Sequence, residues 1–201
     1  MTTYEAILRN YRAEAERRRS EEEWWSDPTI GLCETIVRAC LSEVPSNGRS
    51  IRHGHQCLLR RGVPAEAARI LASLEHEISG CASFDELHDL ITNVCSTLYG
   101  AGELYAYDVA QRVGLRLGLR PERVFLHRGT RAGARALGIS VSGRKSIGID
   151  ELPRALRSLS PAEAEDVLCI YKSYFPKLDR NDDDASDARS CLPRSVRSRR
   201  C

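Results

Sequence analysis

Residues 98–110 read LYGAGELYAYDVA, and the interpretation of the whole chain starts from this stretch. Gly100 and Gly102 stand two apart between segments whose apolar residues recur at helical spacing. Glycine tolerates the positive φ that a tight reversal between two helices requires. We therefore predict a helix before Gly100, a short turn, and a second helix that begins at about Glu103 and runs to about Leu117.

The helix before the turn has its own start signal. Ser83 and Glu86 form a capping box, so this helix is predicted to begin at Phe84. Its apolar stripe continues to Leu98, next to the glycines. The two helices and the turn together make a helix-hairpin-helix over residues 84–117.

Helical patterns also extend on both sides of this hairpin. We predict helices at 4–25, 28–42, 55–61, 64–79, 130–137, 151–156 and 161–175, with loops at 44–52 and 138–148. Residues 124–126 are predicted to be extended, and no convincing strand pair is found. The expected fold is all-α. It is one multi-helix domain over residues 1–176, followed by a disordered tail over residues 177–201 that is first acidic and then basic.

Composition narrows the class of protein. The chain has 201 residues and a net charge of +2, so any binding of a polyanion must come from local clusters of charge. It contains no apolar run long enough to span a membrane and no secretory signal, which predicts a cytoplasmic protein. The eight cysteines form no CxxC pair, and Cys33 and Cys40 are expected to be buried on one helix face.

The turn itself has the features of an anion site. Backbone N–H groups at Gly100, Ala101 and Gly102, together with the dipole of the second helix, could hold a phosphate. Glu103 suits the helix dipole but opposes a bound anion. The alternative is that the glycines form only a structural turn.

A basic stretch follows the hairpin. Residues 101–150 contain nine Arg or Lys and four Asp or Glu, a local charge of about +5. Arginine offers a planar set of donors that suits phosphate. The residues expected to contact a nucleic-acid backbone are Arg128, Arg131, Arg135 and Lys145. The alternative is an ordinary solvated charged face.

The order of these segments resembles the helix-hairpin-helix DNA glycosylase superfamily over roughly residues 84–138. In that family the hairpin precedes a segment with an acid and a histidine, and then an arginine-rich helix. Here the segment is VFLHRGTRAGARALG at 124–138, with the histidine at His127. The resemblance implies a partner of duplex DNA, held through its backbone.

The chain departs from this family at three points. Leu104 stands where bifunctional members carry a catalytic lysine. No Asp or Glu occurs between Glu122 and Asp150, so the family's catalytic aspartate, which the resemblance places near Phe125 or Leu126, is missing. The four cysteines of an iron–sulfur cluster are also absent, and we expect no cofactor. The resemblance therefore implies DNA binding more than base excision.

Two other functions remain open. The first is an enzyme, related to DNA glycosylases, that acts on a base or nucleotide with Asp108 and His127 as its catalytic pair. Asp108 could equally form an ion pair with Arg112, four residues on. The second is a helical protein-interaction module. A metal site at His53, His55 and Cys57 lacks a second ligand cluster, so we predict no metal.

Overall fold

A computed structural model describes residues 3–46, 49–52, 59 and 62–178 of the chain. This described part is all-α, as the sequence predicts. Its helices are α1 (Tyr4–Ala13), α2 (Ala15–Ser26), α3 (Leu32–Leu41), α4 (Val63–Ser73), α5 (Glu75–Ser79), α6 (Phe84–Ser96), α7 (Glu103–Leu117), α8 (Arg128–Ala136) and α9 (Pro161–Ile170). None of the helices in these residues is long and apolar enough to cross a membrane.

Two short antiparallel strand pairs accompany the helices. Strands β1 (Glu43–Ser46) and β2 (Arg49–Arg52) pair locally, and β3 (Val124–Phe125) pairs with β4 (Ser146–Ile147). The prediction of no strand pairs was therefore wrong. Pairs of two to four residues fall below the length at which alternation of apolar and polar residues can be recognised.

Capping residues set the helix starts that matter most for the site. Ser83 accepts a hydrogen bond from the backbone N–H of Glu86 at 3.2 Å, which confirms the start of α6. Ser160 accepts from the N–H of Glu163 at 3.3 Å, and the Glu163 carboxylate accepts in return from the N–H of Ser160 at 2.8 Å. This confirmed capping box begins α9.

Two predicted helices are each divided into two. The helix predicted over 4–25 breaks at Glu14, with φ −99° and ψ 9°, and the helix predicted over 64–79 breaks at Leu74, with φ −104° and ψ 21°. The first break has a clear cause. The apolar stripe of α1 and the buried Trp25 of α2 belong to different hydrophobic cores, so the chain must turn between them.

Other predictions need smaller corrections. The predicted helix over 28–42 begins only at Leu32, because the Asp27 carboxylate accepts from the N–H of Thr29 at 2.9 Å and forms a turn first. Cys33 is exposed, whereas Cys40 is buried as expected. The strands β1 and β2 occupy the predicted 44–52 loop. Apart from residue 59, the predicted helix over 55–61 lies outside the described residues, and so does the tail from residue 179.

The described helices enclose two hydrophobic cores. The first core joins α2–α7 and includes Trp25, Ile36, Leu71 and Leu87. The second core joins α1 to residues 124–178 and includes Ile7, Ile147 and Leu168.

Strand β3 lies on the boundary between the two cores. Val124 and Leu126 are buried in the second core, and Phe125, between them, is buried in the first. Successive side chains of an extended segment point to opposite sides, which explains the division. The residues that follow Leu126 are thereby placed where the two cores meet.

Candidate functional site

The α6–α7 hairpin has the geometry that its glycines predict. Gly100 has a φ of +102°, which favours glycine, and Gly102 is extended and precedes α7 without any side-chain cap. A Cβ built on Gly102 meets no atom within 4 Å, so the backbone there is approachable from outside. Within the described residues, no acceptor is found for the N–H groups of Gly102, Glu103 and Leu104.

One part of the predicted phosphate site is used internally. The N–H of Ala101 donates to the carbonyl of Leu98 at 3.0 Å, which closes the turn. Tyr99, at the tip, is 83% exposed. The hairpin tip is therefore not buried under other described helices, an arrangement that would have favoured the interaction-module hypothesis.

Arg131 connects α8 to the start of α7. Its guanidinium lies 3.3 Å from the Glu103 carboxylate and also donates to the carbonyls of Val141 and Arg144, at 3.1 and 2.8 Å. The carboxylate at the first turn of α7 is thus paired with a cation. Arg131 holds the 141–144 loop in place as well, so its role here is partly structural.

The other predicted cations divide into two kinds. Lys145 forms ion pairs with Asp89 at 2.6 Å and Asp85 at 3.8 Å on α6. Arg128 and Arg135 are exposed on α8 and make no ion pair with the described residues. Of the four predicted cations, only these two have no acidic partner among the described residues.

A pocket of about 390 Å³ lies beside the hairpin. Its walls come from α6, the start of α7, the segment from β3 into α8, and the loop before β4. The lining residues are His88, Asp89, Thr92, Glu103, Tyr107, Phe125, Leu126, His127, Arg131, Gly143, Arg144 and Lys145. The predicted residues His127, Arg131 and Lys145 therefore share one concavity with the first turns of α7.

Aromatic rings form the inner wall of this pocket. The centroids of His88 and Phe125 are 4.4 Å apart, those of Tyr107 and Phe125 are 5.8 Å apart, and those of Tyr107 and His127 are 6.1 Å apart. His88 is uncharged near neutral pH because burial, assisted by the charge of Lys145, lowers its pKa to about 4.

His127 is fixed at the base of the pocket by three hydrogen bonds. Its ring Nδ1 accepts from the N–H of Gly129 at 3.1 Å, and its backbone N–H donates to the Thr130 hydroxyl at 2.7 Å. Its Nε2 contacts the Glu165 carboxylate. His127 therefore caps α8, which begins two residues before the predicted start at residue 130, because an imidazole nitrogen can accept the hydrogen bond that a cap requires.

Each residue of the predicted catalytic pair contacts a different charged side chain. The carboxylate at His127 is that of Glu165, whereas Asp108 lies 4.0 Å from Arg112, the ion pair considered as the alternative. Glu165 was missed because it follows His127 by 38 residues. One signal was present, since Glu165 precedes the buried Leu168 by one helical turn and so falls on the inner face of α9.

Burial changes the acidity of this region. Desolvation raises the pKa of Glu165 to about 7, although its contact with His127 acts in the opposite direction. Desolvation also raises the pKa of the neighbouring Asp166 to about 6, and the Asp166 carboxylate accepts a hydrogen bond from the Tyr11 hydroxyl at 2.9 Å.

Three potential metal ligands meet here. One ligand atom each from His127, Glu165 and Cys169 lies within 4.8 Å of the others, and no further such group occurs in the described residues. The cap argues against a metal ion, however. Because Nδ1 accepts from Gly129, the neutral ring carries its hydrogen on Nε2, the atom that would have to bind the ion. The His53, His55 and Cys57 group lies outside the described residues.

Comparison with known proteins adds no relative. No protein-family model, no curated protein and no solved structure matches this chain. The function has to be argued from the hairpin and the pocket themselves.

Proposed function

We propose that this protein binds DNA, with the α6–α7 hairpin holding a phosphate of the backbone. The observation that carries the proposal is the Glu103–Arg131 ion pair, which joins the start of α7 to the arginine face of α8. Residues three and four apart share a helix face, so Arg128 and Arg135 flank Arg131 along it. The hairpin and these two arginines, which pair with no acid in the described part of the chain, can then follow one strand.

The hairpin supplies the donors for such a contact. The N–H groups of Gly102, Glu103 and Leu104 have no described acceptor, and the positive end of the α7 dipole favours an anion there. The pairing of Glu103 with Arg131 reduces the repulsion that an acid at this position would otherwise cause.

The test uses a pair of glycines in the same setting. Gly102 and Gly31 both precede a helix with extended backbone and no side-chain cap, and a Cβ at either meets nothing within 4 Å. The extended backbone therefore suits a β-branched residue, and the Cβ itself meets no atom, at both positions. We expect Gly102→Val to weaken binding of a fluorescent 20-base-pair duplex at least tenfold, by blocking approach of the phosphate, and Gly31→Val to leave it unchanged.

Salt dependence provides the second readout. Binding should weaken steeply as salt rises, and the double variant Arg128→Ala with Arg135→Ala should lower the slope of log affinity against log salt by about 2. Absence of binding at 50 mM salt would refute the proposal, as would equal affinities for Gly102→Val and Gly31→Val.

A second candidate is an enzyme that acts on a base or nucleotide. It is favoured by one observation, that His127 lines the pocket beside the hairpin. In this case Glu165 orients His127, and Asp108 acts, if at all, from its position beside Arg112. Incubation of damaged or modified duplexes, scored for released base, tests it. Release that is lost in Asp108→Asn and His127→Gln supports this candidate, and no release from any substrate counts against it.

A further inference from the structure

Helix α8 carries positive charge that the described part of the chain does not balance. Arg128 and Arg135 are exposed, and neither forms an ion pair with a described side chain, whereas Arg131 between them is paired with Glu103. Seven residues make almost two turns of helix, so Arg128 and Arg135 lie on the same side of α8, about 10 Å apart along its axis. Together with Arg131 they form the arginine face of α8.

The start of α8 also favours an anion. Arg128 is the first residue of this helix, where the helix dipole is positive and a cation is unfavourable. Each of the other described α-helices has an acid in its first turn, but α8 has none. A carboxylate beside Arg128 would therefore be stabilised by the guanidinium and by the helix dipole together.

The last described residues lie next to this helix. The 3₁₀ turn Phe175–Lys177 packs on α8, and Phe175 is buried in the second core. Leu178 packs against the same core, and its N–H donates to the carbonyl of Phe175 at 3.2 Å. The chain beyond Leu178 therefore starts from a fixed point close to the arginine face.

The sequence that continues from this point is acidic. Residues 179–187 read DRNDDDASD and contain five aspartates and one arginine. Nine residues span at most about 30 Å, and α8, which also has nine residues, is about 13.5 Å long. The segment is thus long enough to place carboxylates beside both Arg128 and Arg135.

We propose that residues 179–187, the acidic segment, cover the arginine face of α8 in the free protein and compete there with the phosphates of DNA. A carboxylate matches the planar donors of a guanidinium. Because the acidic segment and α8 belong to one chain, the effective concentration is of the order of millimolar, so ion pairs that are weak singly can form together. The contact does not require DNA, but its regulatory consequence rests on the proposed function.

Two lysines near Leu178 are alternative partners for the acidic segment. Lys172 donates to the carbonyl of Cys169 at 2.7 Å, and Lys177 lies 6.0 Å from the ring centroid of Tyr174. Neither forms an ion pair with an acid in the residues that the structure describes. The arginine face differs from them by its paired donors and by the dipole at its first residue, and a test has to separate the two sets.

Cross-linking of the full chain tests the contact without DNA. Arg135→Lys keeps the charge and supplies an amine, which a carbodiimide joins to a carboxylate in contact with it. We expect a link within one molecule between this amine and an aspartate of the acidic segment. The link should be lost in about 1 M salt, where charges more than about 3 Å apart are screened. The control is Arg69→Lys, beside Glu66 on α4, which should give no link to the acidic segment.

Three results of this experiment would overturn the proposal. The acidic segment might link only to Lys172 or Lys177, which would make those lysines its partners. The link might join two molecules, in which case the acidic segment of a second copy covers α8. Finally, a link at Arg135→Lys that persists unchanged in about 1 M salt would not reflect attraction between charges.

Duplex binding tests the competition. Replacement of Asp182, Asp183 and Asp184 together by asparagine should raise the affinity for the 20-base-pair duplex about fivefold at low salt, because DNA no longer has to displace two surface ion pairs. In the background of Arg128→Ala with Arg135→Ala, the same replacement should change the affinity less than about twofold. An equal gain in both backgrounds would indicate general repulsion between the acidic segment and DNA, and would refute the competition.

The failure of this proposal can be told from failure of the proposed function. If no duplex binds even after the three aspartates are replaced, but the salt-sensitive link forms, the proposed function is wrong and the contact on α8 stands. If Gly102→Val weakens duplex binding as expected, but neither the link nor the gain in affinity is seen, the proposed function stands and the acidic segment does not cover α8.

Discussion

Replacement of Glu165 by glutamine should change how the stability of the protein depends on pH. Burial raises the pKa of this carboxyl from 4.5 to about 7. Between these values the folded protein keeps a proton that the unfolded chain has lost. The free energy of unfolding should therefore fall as the pH rises from 4.5 through 7, by roughly 2 to 3 kcal/mol between pH 5 and pH 8 from this group alone.

The variant removes the titration and keeps the contact. A glutamine oxygen can still accept the hydrogen bond from Nε2 of His127, but the side chain does not ionise. Urea unfolding followed by circular dichroism, at pH 5 and pH 8, measures the effect. Relative to the parent protein, Glu165→Gln should gain roughly 2 to 3 kcal/mol of stability between pH 5 and pH 8.

The control is Glu77→Gln, on the exposed surface of α5. Its stability relative to the parent should vary little between pH 5 and pH 8. If the stability of Glu165→Gln relative to the parent is the same at both pH values, or falls as the pH rises, burial does not raise the pKa of this carboxyl.

Three further outcomes follow from the packing, the pocket and the helix caps. Gly133→Ala should lower the free energy of urea unfolding by about 2 to 3 kcal/mol, because its Cβ would lie 2.8 Å from the Leu168 carbonyl carbon of α9. Gly31→Ala, whose Cβ meets no atom, should lower it by under about 1 kcal/mol. His88 should titrate near pH 4 when followed by NMR. The stability that its neutral form contributes is then lost as the pH falls from 6.5 to 4. A titration near pH 6.5 would contradict the burial of the ring. Ser160→Ala should lower the free energy of unfolding by about 1 kcal/mol, because α9 loses its cap. An equal decrease for Ser158→Ala, at an exposed position, would exclude that explanation.

Local signals in the sequence were sufficient for much of the fold. Ser83 and Ser160 mark helix starts because a cap depends on residues within one turn, and Gly100 marks the reversal because its φ is a property of that residue. The break at Glu14 was missed because it depends on which core each helix faces.

The candidate site was harder to predict than the fold. The sequence drew attention to His127, but not to Glu165, which the fold brings to it from 38 residues away. Nor could it indicate that Arg131 and Lys145 pair with acids of other elements, so that two of the four expected cations have no acidic partner within the described residues. Partners distant in the chain are set by tertiary packing, and no local pattern records them.

The division into two cores has a consequence for synthesis on the ribosome. The buried stripe of α1, which includes Ile7 and Tyr11, packs in the second core, and the other residues of that core begin about 110 residues later, at β3. The first core can close once Phe125 has been made, but α1 must wait for the chain through Phe175. Among the described helices, α1 is thus the earliest to be translated and one of the last to be buried. A nascent chain arrested after α7 would therefore present the apolar stripe of α1 to chaperones.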